Sequence, residues 1–135
     1  MRIAIFLAAI VALSALGVAP SSATAKSVYG VWKSQPDEDG TYVHVKVSRC
    51  GAGTLCGTIV KLVNGAPKHR NAKPRRIFWG MKPDGANRWA GGRIWAPDED
   101  KTYASKLELQ GNVLKVSGCV LGGVICRGQD WRRVR

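Results

Sequence analysis

Acidic side chains are scarce in this sequence of 135 residues. It contains 9 Asp and Glu against 21 Lys and Arg, so its formal net charge at neutral pH is +12. Aromatic residues make up only 7% of the chain, and histidine occurs twice. The apolar share of 45% is close to that of globular domains, which excludes a disordered chain, and the length excludes a multidomain protein.

Long apolar runs are absent after the first 25 residues. Before that point, Arg2 is followed by an apolar segment, Ile3–Leu13, and by small residues that end in Ala23-Thr24-Ala25. A basic start, a short apolar run and an Ala-x-Ala ending are typical of a signal peptide, and the run is shorter than the ~20 residues that span a bilayer. We predict a signal peptide at residues 1–25, cleaved after its last alanine, and one exported domain at residues 26–135 without a membrane-spanning helix.

Familiar enzyme motifs are absent too. The sequence has no Gly-x-Ser-x-Gly, no His-Glu-x-x-His and no phosphate-binding loop. Its acidic residues cluster in two turn-like segments, 37–39 and 98–100, which offer too few ligands at the spacing of a calcium loop. His44 and His69 have no partner at metal-ligand spacing. We therefore predict no catalytic residue, no cofactor and no metal site.

The four cysteines form two pairs that are close in sequence, Cys50 with Cys56 and Cys119 with Cys126. Disulfides persist in exported proteins, and these spacings do not match a zinc knuckle. Four cysteines allow three pairings. We favour a disulfide within each close pair, because the glycine-rich turn between its members would bring the two chains side by side.

Helical periodicity is absent from the domain, and alternation replaces it. Val43, Val45 and Val47 alternate with polar residues, as in a half-buried strand. Turn residues separate about eight such segments. They are Tyr29–Lys33, Thr41–Val47, Gly57–Val63, Arg75–Trp79, Arg88–Trp95, Lys101–Leu109, Val113–Val116 and Val124–Val134. We predict an all-β antiparallel meander that closes, at least partly, into a small barrel, because closure removes exposed sheet edges.

One hairpin has a predictable register. Gly111-Asn112 can occupy the centre of a tight turn, which sets Leu109 opposite Leu114 and Leu107 opposite Val116. The same register sets Glu108 opposite Lys115 on the other face. We expect an apolar ladder inside and a charge pair outside.

Several segments together resemble a bacterial exported family, that of the domain of unknown function number 2147. They are Gly30-Val31-Trp32, Cys50, Leu55–Val60, Gly91–Pro97, Lys101-Thr102-Tyr103, Val116–Cys119, Cys126-Arg127 and Trp131–Val134. The resemblance implies an envelope protein, in the periplasm, with paired cysteines, and it implies no established reaction or ligand. The sequence departs from the family pattern in two places. After the predicted strand that ends at Val63, a basic segment replaces the acidic, Asn-containing loop that the resemblance implies. Before Lys101, Asp100 replaces the expected glycine.

A looser resemblance is to lipocalin and avidin barrels, which also open with a Gly-x-Trp strand and place an arginine over that tryptophan. The resemblance implies a cation–π cap in which Arg132 or Arg133 covers Trp32. Such a cap is structural, and it is not evidence of a ligand because barrels host unrelated functions.

Basic residues are concentrated in the middle of the chain. Between Lys61 and Arg93 the sequence has nine cations and one acid, Asp84. Such a field attracts polyanions, although it also serves solubility. The candidate contacts are Lys68, Arg70, Lys73, Arg75 and Arg76, with Trp79, Trp89 or Tyr103 beside them. In an envelope we expect phospholipid, lipopolysaccharide or an acidic polymer as the partner, rather than nucleic acid.

Three functions remain open at this point. The first, which we favour, is a non-enzymatic binding module for an anionic envelope component. The second is a barrel that holds a small ligand in its mouth, as lipocalins do, and it requires an internal cavity. The third is an enzyme of unknown type, which requires polar groups that converge in one cleft.

Overall fold

The alternating segments of residues 27–65 and 74–135 pair into a closed antiparallel barrel of eight strands. The computed structural model describes residues 17, 27–65, 72 and 74–135, so the predicted signal peptide, Gly17 apart, lies outside the described residues. The strands are β1 (Gly30–Lys33), β2 (Tyr42–Cys50), β3 (Thr54–Val63), β4 (Arg76–Pro83), β5 (Arg88–Ala96), β6 (Lys101–Gln110), β7 (Val113–Val120) and β8 (Ile125–Arg133). Each strand pairs with the next, and β8 pairs with β1. The predicted meander and its closure are confirmed.

Some strand ends differ from the prediction. β4 continues past Trp79 to Pro83, because the turn to β5 is closed later by a hydrogen bond from the Asp84 amide to the Arg88 carbonyl. β3 begins earlier than expected, at Thr54. β8 begins at Ile125, so residue 124 belongs to the preceding turn rather than to the strand.

The register of the β6–β7 hairpin is confirmed. Leu107 lies opposite Val116 and Leu109 opposite Leu114, and all four side chains are buried. Glu108 lies opposite Lys115 on the other face, and its carboxylate is also 4.0 Å from the Arg88 guanidinium on β5. The apolar ladder therefore faces the interior, as the alternation predicted.

The core fills the barrel from the inward faces of the strands. Val43, Val45 and Val47 are buried, as their spacing predicted. Among the largest fully buried side chains are Trp131 and Phe78, whose ring centroids are 6.1 Å apart. An eight-stranded barrel has room only for side chains or for one small ligand, so these large rings occupy much of the interior.

Both disulfides form within the close pairs. Cys50 is bonded to Cys56 across the β2–β3 connection, and Cys119 is bonded to Cys126, its direct neighbour in the β7–β8 ladder. These are the pairings expected from the turn between each pair. Each disulfide links two adjacent strands at the base of the turn that connects them.

The tryptophan of β1 is capped by an arginine, and that arginine is Arg133. Its guanidinium lies 4.3 Å from the centre of the Trp32 ring and donates hydrogen bonds to the carbonyls of Tyr29 and Ser27. The Trp32 indole donates to the Val28 carbonyl at 2.9 Å. Arg132, the alternative, is exposed and lies opposite Lys33, because successive side chains of a strand point to opposite faces.

We expect the substitution Arg133→Met to lower the free energy of unfolding by about 1–2 kcal/mol, because it removes a partly buried cation–π contact and two hydrogen bonds. Arg132→Met is the matched control, since it removes the same charge from the adjacent exposed position. Denaturant titration measures both. Equal effects of the two substitutions would contradict a capping role for Arg133.

Candidate functional site: a cup at one end of the barrel

The barrel is not filled to its end. A cavity of about 230 Å³, here called the cup, opens where the β1–β2, β3–β4, β5–β6 and β7–β8 connections lie. Its apolar lining includes Val43 of β2, Ile77 of β4, Ile94 of β5, Val116 of β7 and Trp131 of β8. These residues belong to the same inward packing as the core. The cup is thus the unfilled part of the barrel interior.

One side of the rim is held by local hydrogen bonds. The Ser34 hydroxyl accepts a bond from the Val43 amide at 2.9 Å, and the Asp37 carboxylate accepts bonds from the amides of Asp39 and Thr41. A carboxylate that accepts two backbone amides in a turn is typical of a structural residue. We assign Asp37 to shaping the mouth of the cup.

A neighbouring part of the rim, joined to the first by a hydrogen bond from the Asp130 amide to the Gln35 side chain, carries polar groups with fewer partners. Gln129 accepts a hydrogen bond from the Trp131 indole at 3.1 Å. Arg127 lies opposite Gly118 and lines the cup, as Asp98 does. Within residues 27–65, 72 and 74–135, the structure shows no ion pair to either of these two charged side chains.

Tyr103 also lines the cup, and its phenol donates a short hydrogen bond to Glu99 in the β5–β6 turn. This bond to a carboxylate raises the pKa of Tyr103, and desolvation and the negative charges of Glu99 and Asp98 add to the effect. Arg127 acts in the opposite direction. The phenol therefore loses its proton at a higher pH than an ordinary tyrosine, and below that pH it donates its hydrogen bond to Glu99.

An arginine covers a second tryptophan next to the cup. The Arg75 guanidinium lies 3.5 Å from the centre of the Trp95 ring, and the Trp95 indole donates to the Asp100 carboxylate at 2.8 Å. Asp100 has a φ of 50°, a conformation that favours glycine but that Asp tolerates better than most residues. This conformation is consistent with the glycine that the family resemblance led us to expect at this position.

The predicted anion-binding residues are only partly described. Lys68, Arg70 and Lys73 lie outside the described residues, as does His69. Arg75 and Arg76 are exposed at the start of β4. A site at these five cations stays a prediction.

The predicted aromatic contacts lie on different parts of the barrel. Trp79 is opposite Arg93, Trp89 is opposite Leu107, and Tyr103 is opposite Ile94. The structure brings only Tyr103 to the cup. The aromatic residue that Arg75 covers is Trp95, which was not among the predicted contacts.

Two features are absent from the described residues. Among them, no group of three or more His, Cys, Asp or Glu side chains could hold a metal ion. No helix in the part of the chain that the structure describes is long and apolar enough to cross a membrane.

We expect Glu99→Ala to return the pKa of Tyr103 toward its ordinary value of 10.0, because the substitution removes the main cause of the shift. The contribution of this hydrogen bond to stability is complete below that ordinary value and is lost as the pH rises through the raised one. Ultraviolet absorbance of tyrosinate during an alkaline titration measures the change. Glu38→Ala, in the other acidic turn, is the control and leaves the titration unchanged. If the Tyr103 phenol of Glu99→Ala still titrated at as high a pH as in the unmodified protein, Glu99 would not be the cause of the raised pKa.

Known proteins resemble this chain in fold and in family. The solved structure of protein HP1028 from Helicobacter pylori, described as belonging to the lipocalin family, superposes with a TM-score of 0.66 at 16% identity, and the match covers 81% of this chain and 84% of that chain. At this identity the likeness shows the fold, a lipocalin-like closed barrel. No curated protein sequence matches the chain.

The family comparison covers most of the sequence. Residues 30–133 match the family described as "Uncharacterized protein conserved in bacteria (DUF2147)". The matched range contains both disulfides, strands β1 to β8 and all the residues that line the cup. The chain therefore belongs to the DUF2147 family, as its motifs suggested.

Proposed function

We propose that the protein binds a small, mainly apolar molecule in the cup, with the polar end of that molecule at the rim. The observation that carries the proposal is the cavity of about 230 Å³ in the barrel interior. The hypothesis of a small ligand held in the barrel mouth requires such a cavity, and a fully packed interior would have excluded that hypothesis. The geometry supports this binding function better than it supports the anionic envelope module that the sequence favoured.

The volume of the cup limits the size of the ligand. Ligand pockets are typically about 300–1,000 Å³, and the cup, at about 230 Å³, is below this range. Its walls are aliphatic and aromatic, from Val43 to Trp131. A short acyl chain or a single ring system fits this volume and these walls.

The rim supplies the polar contacts. Arg127 offers hydrogen-bond donors, Asp98 offers acceptors, and Gln129 offers both. Because these groups lie together on one side of the mouth while the floor is apolar, an amphipathic molecule would bind with its chain inward. A polar group buried at the floor would lose its bonds to water without a replacement.

Export of the protein to the periplasm and its contact with an anionic partner are two further proposals. The signal-peptide pattern supports export to the periplasm. The exposed Arg75 and Arg76 support a contact with an anionic envelope component as a second candidate function. Charge reversal at these two positions, followed by salt-dependent retention on an anionic polymer, tests that candidate.

Two glycines provide a matched test of the cup. Gly118 lines the cup, and a Cβ added there would meet only Ile94 and Tyr103, at ordinary contact distances of 3.5 and 3.6 Å. Gly128 lies on the next strand, opposite Ser117 and outside the lining, and its added Cβ would be 3.4 Å from the Ser117 hydroxyl. Neither glycine has a positive φ, so both accept a side chain without backbone strain.

We expect Gly118→Leu to weaken octanol binding by at least about tenfold, because the new side chain occupies the space of the ligand chain. Gly128→Leu should bind as the unmodified protein does. Titration calorimetry with octanol, octanoate and octylamine measures the affinities, and tryptophan fluorescence reports on Trp131. The order of the three affinities shows which head group the rim prefers.

Two results would contradict the proposal. One is the absence of binding of all three probes to the unmodified protein. The other is binding that Gly118→Leu and Gly128→Leu weaken equally, since that would place the probe outside the cup. Thermal unfolding of both variants provides the check that the barrel remains folded.

A further inference from the structure

The turn between β7 and β8 exposes a cluster of aliphatic side chains. Among the described residues, six large hydrophobic side chains are exposed, and four of them lie in this turn or at the strand ends directly beside it. Val120 is 43% exposed, Leu121 73%, Val124 81% and Ile125 54%. Residues 120–125 are here called the tip. Clustered exposure of this kind marks an interaction site, whereas single exposed hydrophobic residues are ordinary.

The backbone of the tip is held from its base. Cys119 and Cys126 are disulfide-bonded directly before and after it. Leu121 has a φ of 54° and is followed by two glycines at 69° and 90°. This conformation favours glycine or asparagine, so an exposed leucine is an unusual residue at this position.

The tip extends one wall of the cup beyond the rim. Val120 lies opposite Ile125, two residues beyond the pair Gly118 and Arg127, which lines the cup. Alternate residues of a strand share a face, so both aliphatic side chains lie on the face that continues the cup wall. The disulfide lies on the other face, in the intervening pair.

Positive charge lies beside the tip. Gly122 and Gly123 border a depression on the barrel surface together with Arg93 and Lys106. The chain as a whole has a formal net charge of +12. Asp98 and Glu99 in the nearby β5–β6 turn partly offset this field, so the aliphatic side chains are the main part of the contact and the cations assist.

We propose that the tip inserts into the surface of an anionic phospholipid bilayer, with Arg93 and Lys106 beside the head groups. A stable protein interface needs about 800 Å² and about 20–30 residues from each partner, and the tip is a six-residue segment at the end of a two-stranded ladder. Such a shape fits between lipid head groups, where the aliphatic side chains leave water and basic residues meet negative charge. The proposal does not depend on the cup holding a ligand.

Vesicle sedimentation tests the tip. The chain starting at Lys26 is used, because it contains strands β1 to β8 and lacks the apolar Ile3–Leu13 segment, which would bind lipid itself. We expect stronger binding to mixed phosphatidylglycerol–phosphatidylcholine vesicles than to phosphatidylcholine alone. The double substitution Leu121→Ser, Val124→Ser should weaken binding by at least about tenfold. Val134→Ser removes a 45% exposed aliphatic side chain elsewhere, and it should have no effect.

The charge contribution is measured separately. Arg93→Gln and Lys106→Gln should each weaken binding to the phosphatidylglycerol vesicles about fivefold at low salt. Binding to phosphatidylcholine alone should not change. If Arg75→Glu with Arg76→Glu abolished binding while the tip substitutions had no effect, the tip proposal would be overturned and the contact would lie at the start of β4.

A second variant tests insertion through a gain of fluorescence signal and does not rely on a loss of binding. Leu121→Trp should show a blue shift of emission with phosphatidylglycerol vesicles and quenching by brominated lipid, in excess of the unmodified protein. Gly118→Leu should bind vesicles normally, which separates this proposal from that of the cup. Unshifted emission of Leu121→Trp, or no binding to either vesicle type, would rule out insertion of the tip.

Discussion

Pairing of β8 with β1 is the constraint on which the rest of the structure depends. It closes the sheet of the described residues, so each inward side chain must fit within one narrow interior. The pair that closes the ladder is Trp32 and Arg133, and the guanidinium lies over the indole it pairs with. Large rings fill the interior up to Trp131, and the cup lies beyond that ring.

Local patterns predicted much of the fold. The alternation of Val43, Val45 and Val47 and the turn at Gly111-Asn112 determine side-chain faces over a few residues, and both were confirmed. Strand ends were predicted less well, because a turn is determined by backbone geometry that several neighbouring residues can supply. β4, for example, continues to Pro83, because the hydrogen bond of the Asp84 amide to the Arg88 carbonyl closes the β4–β5 turn.

The candidate site was harder to predict, because its residues are distant in sequence. Residues from Ser34 to Trp131 line the cup, and only closure of the barrel brings them together. Neither Arg127 nor Gln129 was predicted as a site residue, and their position at the cup is known only from the register of β7 with β8. For the same reason the sequence left open whether Arg132 or Arg133 forms the cap, because the answer depends on the register of β8 on β1.

The cup and the tip share one wall, and this gives the two proposals a common geometry. Gly118 and Arg127 line the cup, and the pair two residues further along each strand, Val120 and Ile125, is exposed. An apolar chain that leaves the cup along this wall would meet aliphatic side chains before it meets water. Because the tip continues this wall outward, its insertion would bring the mouth close to the lipid. A bilayer would then be the nearest apolar environment for a ligand that the cup releases.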